Sequence, residues 1–199
     1  MYDVSHLIIR WFHVIAGITW IGLLYFFNWI NGHLQKDLGD VAKTVNPHLM
    51  PRVLFWFRWG AMFTFLMGIA LYVMNYMYTP GFGFGPNALF HSHRNAWILM
   101  GMGFGTLMWF NVWFIIWPAQ KQLLGGTAGD AAPALKARAT MASKINTYSS
   151  GPMLFGMLGA GHWDGGPNFL VLGGVVLLGF AAIWSAYAHS GRVGLEFKK

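Results

Sequence analysis

Five apolar runs, residues 7–30, 53–78, 96–118, 145–162 and 168–189, set the terms for this chain. Each is long enough, or nearly so, to cross a bilayer at about 20 residues per crossing. Hydrocarbon offers no partners to backbone N–H and C=O groups, and a run of this length supplies its own by forming a helix. The expected fold is therefore an all-α integral membrane protein, a single domain over 1–199 built as a bundle of about five transmembrane helices. The fourth run is the weakest, being short and polar at its start, and Pro118 is expected to end the third. Only 10% of residues are charged, against about 25% in a soluble domain. Aromatic residues gather near the run ends (Trp11, Trp29, Tyr76, Tyr78, Trp97, Trp117 and Trp163), as an interfacial belt would.

The intervening loops separate by charge. Loop 31–52 carries Lys36, Lys43 and Arg52; loop 119–144 carries Lys121, Lys136, Arg138 and Lys144; the tail carries Arg192, Lys198 and Lys199. Loop 79–95 has only Arg94, and loop 163–167 has no basic residue. The positive-inside rule then puts the N-terminus outside and the C-terminus on the cytoplasmic side. The formal charge of +7 is thus a matter of topology and does not point to nucleic acid. The start, MYDVSH, lacks a basic n-region and a cleavage site, so the first run reads as a retained span. Absence of cysteine removes disulfides, thiolate metal sites and the attachment of a covalent c-type haem. Gly101 and Gly105 form a G-x-x-x-G pair suited to close helix approach in lipid.

Ionisable groups inside such runs are expensive, and they are paired, functional or both. On this topology His6, His13, His91, His93 and His162 fall toward the outer face, from four separate segments, while His33, His48 and His189 fall inside. Arg10, His13, Gly17, Trp20 and Leu24 follow helical spacing and make one stripe, with His13 about 5 Å beyond Arg10 along the axis. Three readings of that stripe stand side by side. His13 and His162 could ligate a haem b; Arg10 could snorkel while His13 bonds a neighbouring carbonyl; or the pair could bind a substrate or quinone. Arg58 could meet an anion or haem propionate, or stack on Trp56 and Trp59. His91-x-His93 has metal-ligand spacing but sits in a glycine-rich loop without carboxylates. The 12 methionines form no M-x-x-M ladder for copper and read as packing.

Four segments in order resemble one family: RWFHVIAGITWIG at 10–22, FWFRWGAMFTFLMGIAL at 55–71, GTLMWFNVWFIIWPAQK at 105–121 and NTYSSGPMLFGMLGAGHW at 146–163. The chain resembles the N-terminal membrane domain of the bacterial urate hydroxylase (urate oxidase) that carries a fused c-type cytochrome. The resemblance implies a membrane redox protein that oxidises a purine and passes electrons to a cytochrome, with Arg10, His13, Asn146, Tyr148 and His162 at motif positions. It also implies a histidine early in the third span, where this chain has Leu99, and a more polar run where it has GAGHW. Because no cytochrome domain precedes Lys199, electrons are expected to leave through a separate cytochrome or other membrane subunits. The functional expectation is a small subunit of a respiratory or photosynthetic redox assembly, with an electron-transfer or structural role. The alternatives are a urate-oxidising membrane enzyme and a haem b or copper-binding protein.

Overall fold

A computed structural model describes residues 2–163 and 165–194 and places nearly all of them in helices. Lys198 and Lys199 lie outside the described residues. Helix α1 (Tyr2–Tyr25) continues through a π-helical turn, Phe26–Asn31, into the short α2 (Gly32–Leu38). The chain then reverses at Gly39, whose φ of +51° suits glycine. Gln35 and Asn46 exchange two amide hydrogen bonds across that bend, at 3.0 and 2.7 Å. Helix α3 (Ala42–Tyr76) returns along α1, and a small antiparallel pair, β1 (Tyr78–Thr79) and β2 (Gly83–Phe84), tops it. Next come α4 (His93–Phe110), a second π-helical turn (Asn111–Ile116), α5 (Trp117–Leu124), α6 (Ala132–His162) and α7 (Phe169–Ser190).

Among the described residues, three helical stretches are long and apolar enough to cross a membrane: Tyr2–Tyr76, His93–Leu124 and Phe169–Ser190. The first is folded back on itself. Tyr2 Oη donates to Met74 O at 2.7 Å, His13 meets Thr64 O, and Phe27 packs on Phe57, so α1 and α3 are antiparallel partners. Helix α6 is not one of the three. Its first half carries Lys136, Arg138 and Lys144, and the turn after that buries Asn146, Thr147, Ser149 and Ser150.

Pro118 does not end its helix. It sits in the first turn of α5, directly after the π-helical turn at Asn111–Ile116. A proline ring ordinarily clashes with the carbonyl four residues back, and the wider π turn just before it lets the rod continue to Leu124. The segments read as loops are also largely helical. Helix α3 begins at Ala42 and α6 at Ala132, because Lys, Arg, Gln and Ala are good helix formers even outside lipid.

Glycines set the closest helix crossings. A methyl group on Gly156 would lie 2.6 Å from Gly101 N, and one on Gly151 would lie 2.5 Å from Gly179 O. So α6 touches α4 and α7 backbone to backbone, the small-residue packing that lipid favours. The Gly101/Gly105 pair divides its duties: Gly101 makes the crossing, whereas Gly105 has only Met153 Cγ within reach, at 3.9 Å. The main core gathers Trp20, Leu24, Phe57, Ala61, Met108 and Val112 from α1, α3, α4 and the second π turn.

Candidate functional site around His13

The stripe Arg10–His13–Gly17–Trp20–Leu24 runs from exposed to buried. Arg10 is exposed, His13 and Gly17 are half-buried, and Trp20 and Leu24 are in the core. Where the stripe turns inward, α1, α3, α4 and α6 leave a cavity of about 560 Å³. Three of the four glycines on its wall keep it open. Gly17 faces only the Thr64 side chain, at 3.8 Å from an added methyl, Gly105 faces Met153, and Gly68 lies under the His13 ring. Ile18 of α1 and Leu158 of α6 line the cavity yet are 69% and 63% exposed, so it opens on the apolar flank between those helices.

Among the described residues His13 is the only imidazole on that wall, and no Lys, Arg, Asp or Glu lines it. Its Nδ1 lies 2.9 Å from Thr64 O. A carbonyl oxygen can only accept, so Nδ1 holds the proton and Nε2 of the neutral ring is the bare, accepting nitrogen. Among the described residues Nε2 has no hydrogen-bond partner. A methyl on Gly68 would come within 3.1 Å of His13 Cε1, so glycine there is what lets the Nδ1–Cε1 edge of the ring approach α3.

Below the cavity runs a polar seam. Tyr25, on the cavity wall, pairs with Ser150 Oγ at 2.9 Å; Ser150 donates its own proton to Thr147 O at 2.6 Å, so Tyr25 is the donor. Asn28 donates to Ser143 and accepts from Tyr187 at 2.7 Å, tying the first π-helical turn to α6 and α7. Asn111 donates to the fully buried Asn146 at 2.8 Å, and Asn146 donates to Met108 O at 2.9 Å. Both π-helical turns thus turn an asparagine inward. Such turns are frequent at functional sites.

The other residues singled out from sequence are dispersed. Asn146 is an interhelical bridge outside the cavity lining. Tyr148 stacks on Tyr187 with ring centroids 5.5 Å apart. His162 is exposed at the end of α6, with Nδ1 bonded to Leu158 O of its own helix. His91 is exposed against Phe90, and His93 lies beside Gly166, 2.9 Å from an added methyl. Among the described residues no group of three or more His, Cys, Asp or Glu side chains converges. Arg58 stacks on Trp117 at 3.9 Å and flanks Trp113 at 5.2 Å, and its buried Nε has no partner. Leu99 is exposed on α4 and away from the cavity wall.

A haem b in this cavity would find one axial nitrogen, His13 Nε2. The second imidazole and the cations that propionates need are missing from the wall, since His162 and Arg58 are not part of it. The lining does not fit a bis-histidine haem. Sequence reasoning missed Thr64, Gly68, Asn28 and Asn111. Asparagines inside apolar runs were a usable signal for two of them, whereas Thr64 acts through its backbone carbonyl and leaves no mark in the sequence.

A family model described as urate oxidase N-terminal matches residues 1–45 and 82–193, which contain α1, α4, α5, α6 and α7. Residues 46–81, most of α3, lie outside the match. No curated protein and no solved structure matches the chain.

Proposed function

Because the chain belongs to the urate oxidase N-terminal family, we propose that it is a small multi-pass subunit of a redox assembly, respiratory or photosynthetic, in a bacterial inner membrane. Five spans carry it: α1, α3, α4 continued by α5, α6 and α7. The N-terminus faces outward, and the basic ends near Lys36, Lys136 and Arg192 face the cytoplasm. One observation carries the reading. The wall's lone imidazole, with a free nitrogen, lines a cavity whose opening is apolar and lateral, so its reactant arrives through the bilayer. Electrons then pass to a partner, either a cytochrome or another membrane subunit. Gentle solubilisation followed by identification of co-purifying proteins tests this. A stoichiometric redox partner is expected, and a stable solitary chain overturns it.

The family match also favours a second reading, oxidation of urate with a separate cytochrome as acceptor. Membranes holding the protein would then consume urate in the presence of an acceptor. Loss no faster than in a His13→Ala control removes that reading.

A further inference from the structure

We propose that the His13 cavity binds the reduced, hydroxyl-bearing ring of a lipid-soluble quinol, admitted from the bilayer between α1 and α6, with His13 Nε2 accepting the ring's hydrogen bond. The inference rests on the reading of this cavity as the reactant site and adds the chemical class of its occupant.

Size and access come first. A volume of about 560 Å³ lies within the roughly 300–1,000 Å³ usual for small-molecule sites, which are mostly apolar with a few placed polar groups. The opening is flanked by Ile18 and Leu158, so an isoprenoid or alkyl tail can trail into lipid while the ring sits inside. Met102, Met153 and Met157 line the interior, and flexible thioethers adapt to a planar ring.

Hydrogen-bond polarity then selects the redox form. The Thr64 carbonyl fixes the proton on His13 Nδ1, leaving an acceptor at Nε2. The donors on the wall are committed elsewhere: Tyr25 to Ser150, and the Thr64 hydroxyl to Gly60 O at 2.7 Å. Trp20 Nε1 is a donor without a partner, but it is buried and exposes almost no surface from which to reach a ligand. Thr106 has a hydroxyl that can donate or accept, so it does not discriminate. A quinol brings O–H donors that match Nε2. A quinone brings only carbonyl acceptors, which face an acceptor there. A purine, polar on every edge, would leave most of its groups unpaired among Ile, Leu, Met and Phe.

The test uses the intact protein in lipid nanodiscs, titrated calorimetrically under anaerobic conditions with a decyl-substituted benzoquinol and separately with its quinone. Saturable binding of one quinol per chain is expected, about tenfold or more tighter than the quinone, the worth of one hydrogen bond made or left unmade. His13→Phe is expected to abolish that preference while keeping ring volume. Gly105→Leu, which leaves His13 in place and fills open space, is expected to block both ligands and guards against a folding defect in the first variant. Equal affinity for the two forms, no saturable binding, displacement of the quinol by urate, or a haem absorption band in the purified protein would each overturn the proposal. A redox partner found without quinol binding removes this inference and leaves the assembly reading. Quinol binding by a protein without a redox partner does the reverse.

Discussion

Replacing Gly156 by alanine tests the helix arrangement that creates the cavity. The added methyl would stand 2.6 Å from Gly101 N and 2.8 Å from both Gly101 Cα and Trp97 O, all backbone atoms with nowhere to turn. Ordinary carbon contacts lie at about 3.5–4.0 Å, so α4 and α6 must part by close to 1 Å along that line. A gap of that size forfeits roughly a quarter to a half of each contact's attraction across the crossing. Overpacking of this kind costs about 1–3 kcal/mol. At about 2 kcal/mol the thermal midpoint of the protein in detergent should fall by roughly 4–8 °C, using the slope for chains of this size. Gly103→Ala is the matched control: an added methyl there meets nothing within 4 Å, and alanine is the better helix former. Circular dichroism melts of the two variants decide it. If Gly156→Ala melts at or above the parent while Gly103→Ala is unchanged, the α4–α6 crossing is wrong, and the cavity built on it goes too.

Other outcomes follow from the same structure. Asn146→Leu strands the Asn111 amide inside the bundle and should cost about 1–2 kcal/mol, whereas Asn111→Leu/Asn146→Leu together should recover much of that loss in denaturation assays. Arg58→Lys gives up planar stacking on Trp117 and Trp113; a loss of about 0.5–2 kcal/mol and a changed tryptophan emission are expected. Gly151→Ala, 2.5 Å from Gly179 O, should loosen α7 and raise protease sensitivity near Ser190 more than Gly161→Ala, which meets no neighbour.

Hydropathy located the helices well. The runs at 7–30, 96–118 and 168–189 coincide with α1, with α4 through its π turn into α5, and with α7, because lipid leaves a long apolar run little choice. Polar connections were less legible. Residues 42–52 and 132–144 are as compatible with solvated loops as with helix, and continuity with α3 and α6 decides for helix. His13 stood out as an ionisable residue within a span, yet its chemistry did not. The free nitrogen is set by a carbonyl 51 residues away in sequence, and a backbone acceptor is invisible in a string of side chains. The cavity likewise needs Gly17, Gly68 and Gly105 from three helices, and their meeting is a fact of packing. The two histidines paired from sequence part company in the structure: His13 lines the cavity, whereas His162 is exposed at the end of α6.

The most direct check on the account is the protonation of the His13 ring. In protein labelled with 15N histidine and reconstituted in lipid at neutral pH, solid-state NMR distinguishes protonated from bare ring nitrogens, and comparison with His13→Phe assigns the signal. A protonated Nδ1 and a bare Nε2 are predicted, with Nε2 shifting when the quinol is added. A His13 ring that carries its proton on Nε2 would contradict the hydrogen bond to Thr64 and, with it, the selectivity assigned to the site.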